Sequence, residues 1–136
     1  MITYILDANV VLRFLMKDHE EMWRGAHTLF QKAYNHEIRL ELEVAIIAEI
    51  AYTLGGFYRQ PRPAVADSLL TLITSPGISV EQPDTVIDAL RRFRTTSVSF
   101  PGALLAALAA RKKYPVASFD TDLDKFSDVT RFVPTA

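Results

Sequence analysis

Short β-rich runs alternate with longer helical stretches along the whole chain, and that order is its strongest constraint. Ile2-Thr-Tyr-Ile-Leu6 reads as a buried strand that stops at Asp7. Val10, Val11, Phe14 and Leu15 then lay a helical stripe across 8–16, and Trp23, Ala26, Leu29, Phe30 and Ala33 lay another across 20–34. Ile38, Leu40, Leu42 and Val44 alternate with Arg39, Glu41 and Glu43, the period of a strand. Residues 44–54 are nearly all apolar and read as a helix stopped by Gly55-Gly56. Pro61 and Pro63 open a helix through about residue 73, Pro76-Gly77 is a turn, and 78–80 a strand. A helix begins at Pro83-Asp84, and an alanine- and leucine-rich one covers 102–113. Strands are expected over 115–119 and 129–133, with a turn or short helix over 120–126 between them. Strands that alternate with helices pair in parallel, so the pattern predicts an α/β domain with a mostly parallel central sheet.

The 136 residues fit a single domain, 1–136, and 49% of them are hydrophobic, which excludes wholesale disorder. Without cysteine there is no disulfide scaffold, zinc–thiolate site or thiol nucleophile. Fifteen Lys and Arg against sixteen Asp and Glu leave a net charge of −1, which excludes a globally basic nucleic-acid binder while leaving room for a local basic patch. Met1-Ile-Thr-Tyr has no basic leader, and the longest uncharged stretch, 95–110, is too short and too polar to span a bilayer. The expected setting is soluble and cytoplasmic, with no membrane contact. His19, His27 and His36 lack metal-ligand spacing and read as surface residues.

Ligands of open parallel sheets bind beyond the carboxyl ends of the strands. Asp7 and Asp120 stand at two such ends, where the bland alternative for each is a helix N-cap. Glu49 is flanked on its helix by Ala45, Ile46, Tyr52 and Thr53, with no basic residue within a turn. A carboxylate in apolar surroundings must find a distant arginine, shift its pKa or bind a cation. Three converging carboxylates repel by about 4 kcal/mol per pair at ~4 Å and an effective dielectric of 20, and a hard divalent ion turns that repulsion into binding. Mg²⁺ or Mn²⁺ takes oxygen ligands, activates water and neutralises phosphate.

Tyr4-Ile-Leu-Asp7-Ala-Asn9-Val-Val-Leu12 resembles the opening of PIN-domain ribonucleases, in particular the VapC toxins of bacterial toxin–antitoxin pairs. Ala48-Glu49-Ile-Ala-Tyr-Thr-Leu54 and Val116-Ala-Ser118-Phe-Asp120-Thr-Asp122-Leu123 match further family motifs, and 98–107 matches in its apolar pattern. The resemblance covers the chain in the family's order. It implies a three-layer α/β/α PIN-like fold and Mg²⁺- or Mn²⁺-dependent cleavage of RNA. It implies that Asp7, Glu49 and Asp120 are the catalytic metal ligands, with Asn9 and Ser118 supporting the acids and Asp122 as an auxiliary. A homodimer and a cognate antitoxin are implied as well.

One family position departs. Where an aspartate usually precedes the Ala-Leu-Leu-Ala run, this chain has Gly102, which ligates nothing, and the nearby Ser99 is neutral. The alternative reading is therefore a catalytically inactive PIN-fold module that binds RNA or a protein. Asp120-x-Asp122-x-Asp124-x₃-Asp128 looks like a calcium loop but has Lys125 in place of glycine and Arg131 in place of glutamate. Arg13, Arg91, Arg92, Arg94, Arg111 and Lys112 are candidate RNA phosphate contacts, with solvated helix faces as the plain alternative.

Overall fold

Two parallel sheets and six α-helices organise the chain in the computed structural model, which describes all residues from Met1 to Ala136. The chain forms two units, Met1–Glu81 and Gln82–Ala136.

The first unit is built on β1 (Ile2–Ile5), β2 (Ile38–Glu41) and β3 (Ile78–Ser79), in the order β1-β2-β3. Ile2 faces Ile38 across the first pair and Leu40 faces Ile78 across the second, both parallel. Helices α1 (Ala8–Met16) and α2 (Glu20–Tyr34) connect β1 to β2, and α3 (Val44–Gly56) and α4 (Arg62–Ile73) connect β2 to β3. The alternation in β2 does what its period predicts: Ile38 and Leu40 are buried and Arg39 is exposed.

The expectation for β1 needs correcting. The strand forms, but all four residues are exposed, Ile2 at 60% and Ile5 at 72%. It is an edge strand of this sheet, paired with β2 along one side only, so its apolar side chains are not enclosed as those of a central strand are. The core lies instead where Leu40, Leu42, Ile47, Ile50, Leu54 and Leu69 meet, each at 1% exposure or less.

Gly55 and Gly56 do not stop α3; they are its last two residues, exposed, with Phe57 donating to the Thr53 carbonyl beyond them. The Pro76-Gly77 turn does more than reverse the chain. Gly77 has φ +82°, and a Cβ there would lie 2.2 Å from the Ala33 carbonyl oxygen at the end of α2. Its own carbonyl accepts from the Leu40 amide at 2.8 Å, so the turn is locked to β2. Only glycine satisfies both demands.

In the second unit α5 (Pro83–Thr95) packs on α6 (Phe100–Lys112). β4 (Val116–Ala117) pairs in parallel with β5 (Arg131–Phe132), both shorter than expected, and a 3-10 turn spans Thr121–Lys125 between them. Val98, Ala106, Leu123 and Phe126, joined by Val116 and Val129, form a small core beneath that turn. No helix of the chain is long and apolar enough to cross a membrane.

Candidate active site

Asp7 follows β1 and occupies the N-cap position of α1 with extended backbone, yet its side chain makes no capping hydrogen bond. The cap explanation therefore does not account for this carboxylate, which is exposed and has no ion-pair partner. Glu49 lies in the middle of α3 and is also exposed and unpaired. The sequence placed it beside Ala45, Ile46, Tyr52 and Thr53; Ala45 and Tyr52 share its exposed helix face, Ile46 and Thr53 are half-buried, and only Ile47 and Ile50 turn fully inward. Solvent thus removes the desolvation argument for this residue while leaving its oxygens free.

Asn9 sits in the first turn of α1, exposed, and its amide makes no hydrogen bond to any carboxylate. It faces a groove between α1 and α2. Arg13, one turn further on, is bound to Asp18 through Nη1 at 2.9 Å. Asp18 also accepts from the Tyr58 hydroxyl at 2.6 Å, and these two donors hold its carboxyl below the usual range. Sequence reasoning passed over Glu43, an exposed acid at the N-cap of α3 with no capping bond, just beyond the carboxyl end of β2. The strand-end rule that singled out Asp7 finds it too, because β1 and β2 are adjacent and parallel.

In the second unit the acids of 120–128 divide into two kinds. Asp120 caps the 3-10 turn, with Oδ1 accepting from the Asp122 amide at 2.9 Å. Its own amide donates to Ser118 Oγ at 2.9 Å, so Ser118 fixes the backbone at Asp120 instead of bonding to its carboxylate. Asp120 forms no ion pair, although Arg131 lies close enough to feel its charge. The other three acids each have one. Asp122 faces Lys125 at 3.3 Å, and Lys125 also donates to Ser97 Oγ at 2.6 Å. Asp124 is gripped by Arg131 through Nε at 3.0 Å and Nη2 at 2.9 Å. Asp128 accepts from two nitrogens of Arg92, whose Nε also holds Asp88 at 3.0 Å. The arginine bonds push the carboxyls of Asp124 and Asp128 down and both guanidiniums up. A calcium loop is thereby excluded, since its fifth and ninth positions are spent on arginines.

Arg92, with 13% of its side chain exposed, is a bridge between α5 and the 126–128 segment, not a free phosphate contact. Arg91, Arg111 and Lys112 are exposed and form no ion pair. Arg91 and Arg111 border a groove of about 490 Å³ between α5 and α6. In neither unit do three or more His, Asp or Glu side chains stand together as a metal-holding group.

The family model for the PIN domain matches residues 4–129, nearly the entire chain. The chain belongs to the PIN domain family. No curated protein and no solved structure matches it significantly. PIN domains are a nuclease-type fold that often acts as a divalent-metal-dependent ribonuclease, and the strand-end positions of Asp7 and Asp120 suit that fold.

The departure at Gly102 now has a physical account. Ser99 caps α6 and accepts from the Gly102 amide at 3.2 Å, so its hydroxyl is already committed. A Cβ on Gly102 would meet Val98 Cγ1 at 2.8 Å. Val98 is buried in the small core and cannot easily move aside. In this PIN domain a valine methyl takes the space that an acid's Cβ would need.

Proposed function

We propose that the chain is a metal-dependent endoribonuclease of the VapC toxin type, acting in the cytoplasm as a single PIN domain. In this reading Asp7, Glu49 and Asp120 are the residues that hold Mg²⁺ or Mn²⁺. One observation carries it: among the acids singled out by the motifs, these three form no ion pair, whereas Asp122 does, as do Asp124 and Asp128 outside them. A carboxylate spent on a guanidinium is a poor metal ligand; one left open to solvent is available. When bound, the ion supplies water activation and neutralisation of phosphate charge. Ser118 fixes the backbone that presents Asp120, and Asn9 stands beside Asp7 in the chain. Arg91, Arg111 and Lys112 are the free cations that would draw an RNA backbone. A homodimer and an antitoxin that covers the acids complete this reading.

The second reading is a PIN module that binds RNA without cutting it, and Val98 against Gly102 is the observation that favours it. The deciding experiment compares Mg²⁺- or Mn²⁺-dependent cleavage of structured RNA by the wild type, Asp7→Asn, and Gly102→Asp combined with Val98→Ala. Cleavage by the wild type that Asp7→Asn abolishes supports the nuclease. Cleavage unchanged in Asp7→Asn overturns the assigned site. Cleavage by the double variant alone establishes the binding module.

A further inference from the structure

The groove between α1 and α2 carries an inference that rests on the RNA reading. It holds about 330 Å³, in the range of small-ligand sites. Val10 of α1 and Met22, Ala26 and Leu29 of α2 give it apolar walls. The α2 residues recur every three or four positions and so share one helix face.

Two features set this groove apart from an ordinary seam between helices. Gly25 lies on the same face, in the middle of α2, where glycine weakens a helix. A Cβ there would meet nothing within 4 Å, so no packing contact calls for glycine, and its effect is to keep the groove open. The second feature is at the rim. Asn9 presents an amide that bonds to nothing in the protein, and Arg13 spends Nη1 on Asp18 while its other N–H groups remain. An amide offers a donor and an acceptor side by side. Apolar walls for a flat ring and a donor–acceptor pair for its edge are what an unstacked RNA base needs. An apolar peptide side chain would leave both rim groups unused.

The geometry points to the α1–α2 groove as a pocket for one nucleobase of the RNA, read at its edge by Asn9. Asn9 is two residues from Asp7, so the base so held belongs to a nucleotide near the candidate acids. Gly25 sets which bases fit.

The test uses fluorescein-labelled single-stranded RNA, fully based or with one abasic ribose at each position in turn, and reads binding by anisotropy. A Cβ at position 25 meets no protein atom within 4 Å, so Gly25→Leu extends its side chain into the groove and favours the helix, and a circular-dichroism melt confirms the fold. It should weaken the fully based RNA about tenfold, the scale of one lost base contact. An abasic ribose at one position should cost the wild type the same factor and cost Gly25→Leu nothing further. Asn9→Ala should reproduce part of the loss at that position alone. Unchanged binding by Gly25→Leu overturns the proposal, as do losses that add at every position or a wild type that binds no RNA; a groove that serves a protein side chain gives the first of these. Cleavage by Asp7→Asn is scored separately. If the base pattern holds and the wild type does not cut, the nuclease reading fails alone; if it cuts and Gly25→Leu changes nothing, only the base pocket fails.

Discussion

Arg92 donates to both carboxylate oxygens of Asp128, 36 residues away in the chain, and its guanidinium carbon lies over the Phe126 ring, 5.1 Å from the ring centre. Its Nε secures Asp88 one helical turn back, so a single side chain ties α5 to the end of the acidic run. Removing it leaves Asp88 and Asp128 facing each other without a cation. Arg92→Met should destabilise the protein by about 2 kcal/mol, the scale of charged hydrogen bonds that are only partly exposed. Asp128→Asn, which keeps one acceptor, should cost less. Urea midpoints of both variants check the order.

The acid limb of stability follows from the same pairs. Arg92 and Arg131 hold Asp128 and Asp124 below the ordinary value of 3.8, and Tyr58 and Arg13 do so for Asp18. A carboxyl with a lower pKa when folded stabilises at and above its unfolded value. That stabilisation drains as pH falls through the folded value. Urea midpoints should therefore be flat near neutrality and drop below about pH 4. Arg92→Met should flatten the drop, because Asp128 then loses the hydrogen bond that does most to lower its folded-state pKa.

Gly77→Ala should be among the most damaging single methyl additions to the first unit. The new Cβ would press on the Ala33 carbonyl oxygen, and φ +82° strains any L side chain. The left-handed backbone alone costs about 1–2 kcal/mol, and the contact adds to it. A fall of more than about 2 kcal/mol in unfolding free energy is expected.

Gly102→Asp should destabilise by about 1–3 kcal/mol through overpacking against Val98. Gly102→Asp made in a Val98→Ala background should cost less than it does alone. A thermal-denaturation double-mutant cycle measures this coupling, and additive losses would refute it.

Asp7→Asn should leave stability almost unchanged, because the carboxylate makes no capping bond and no ion pair. RNA cleavage should fall by more than the roughly 10–100-fold that losing a supporting partner of a metal ligand costs. Single-turnover rates and a melt, taken on the same sample, separate the two effects.

Periodicity made most of this fold legible. Ile38 and Leu40 announced a strand and point inward, and Trp23, Ala26 and Leu29 announced the inner face of α2. Local pattern could not reveal that β1 is an edge, because strand order depends on pairing between distant segments. It also misjudged Glu49, since apolar neighbours need not be buried: Ala45 and Tyr52 share its helix face and stand in solvent with it. The partners of Asp124 and Asp128 are 7 and 36 residues away, so nothing near them marked which acids were spent. Asp7 and Asp120 were legible because strand ends are local; the reason for Gly102 was not, because it lies in the packing of Val98.

That packing has an evolutionary consequence. Placing an acid at 102 by one codon change passes through a protein with a methyl group in the way, and shrinking Val98 first opens a void in the small core. Each path has a less stable intermediate, so selection for folding holds the glycine in place whether or not selection for cutting persists. The valine acts as a one-way barrier: with glycine at 102 the chain keeps its fold more readily than it accepts a carboxylate there.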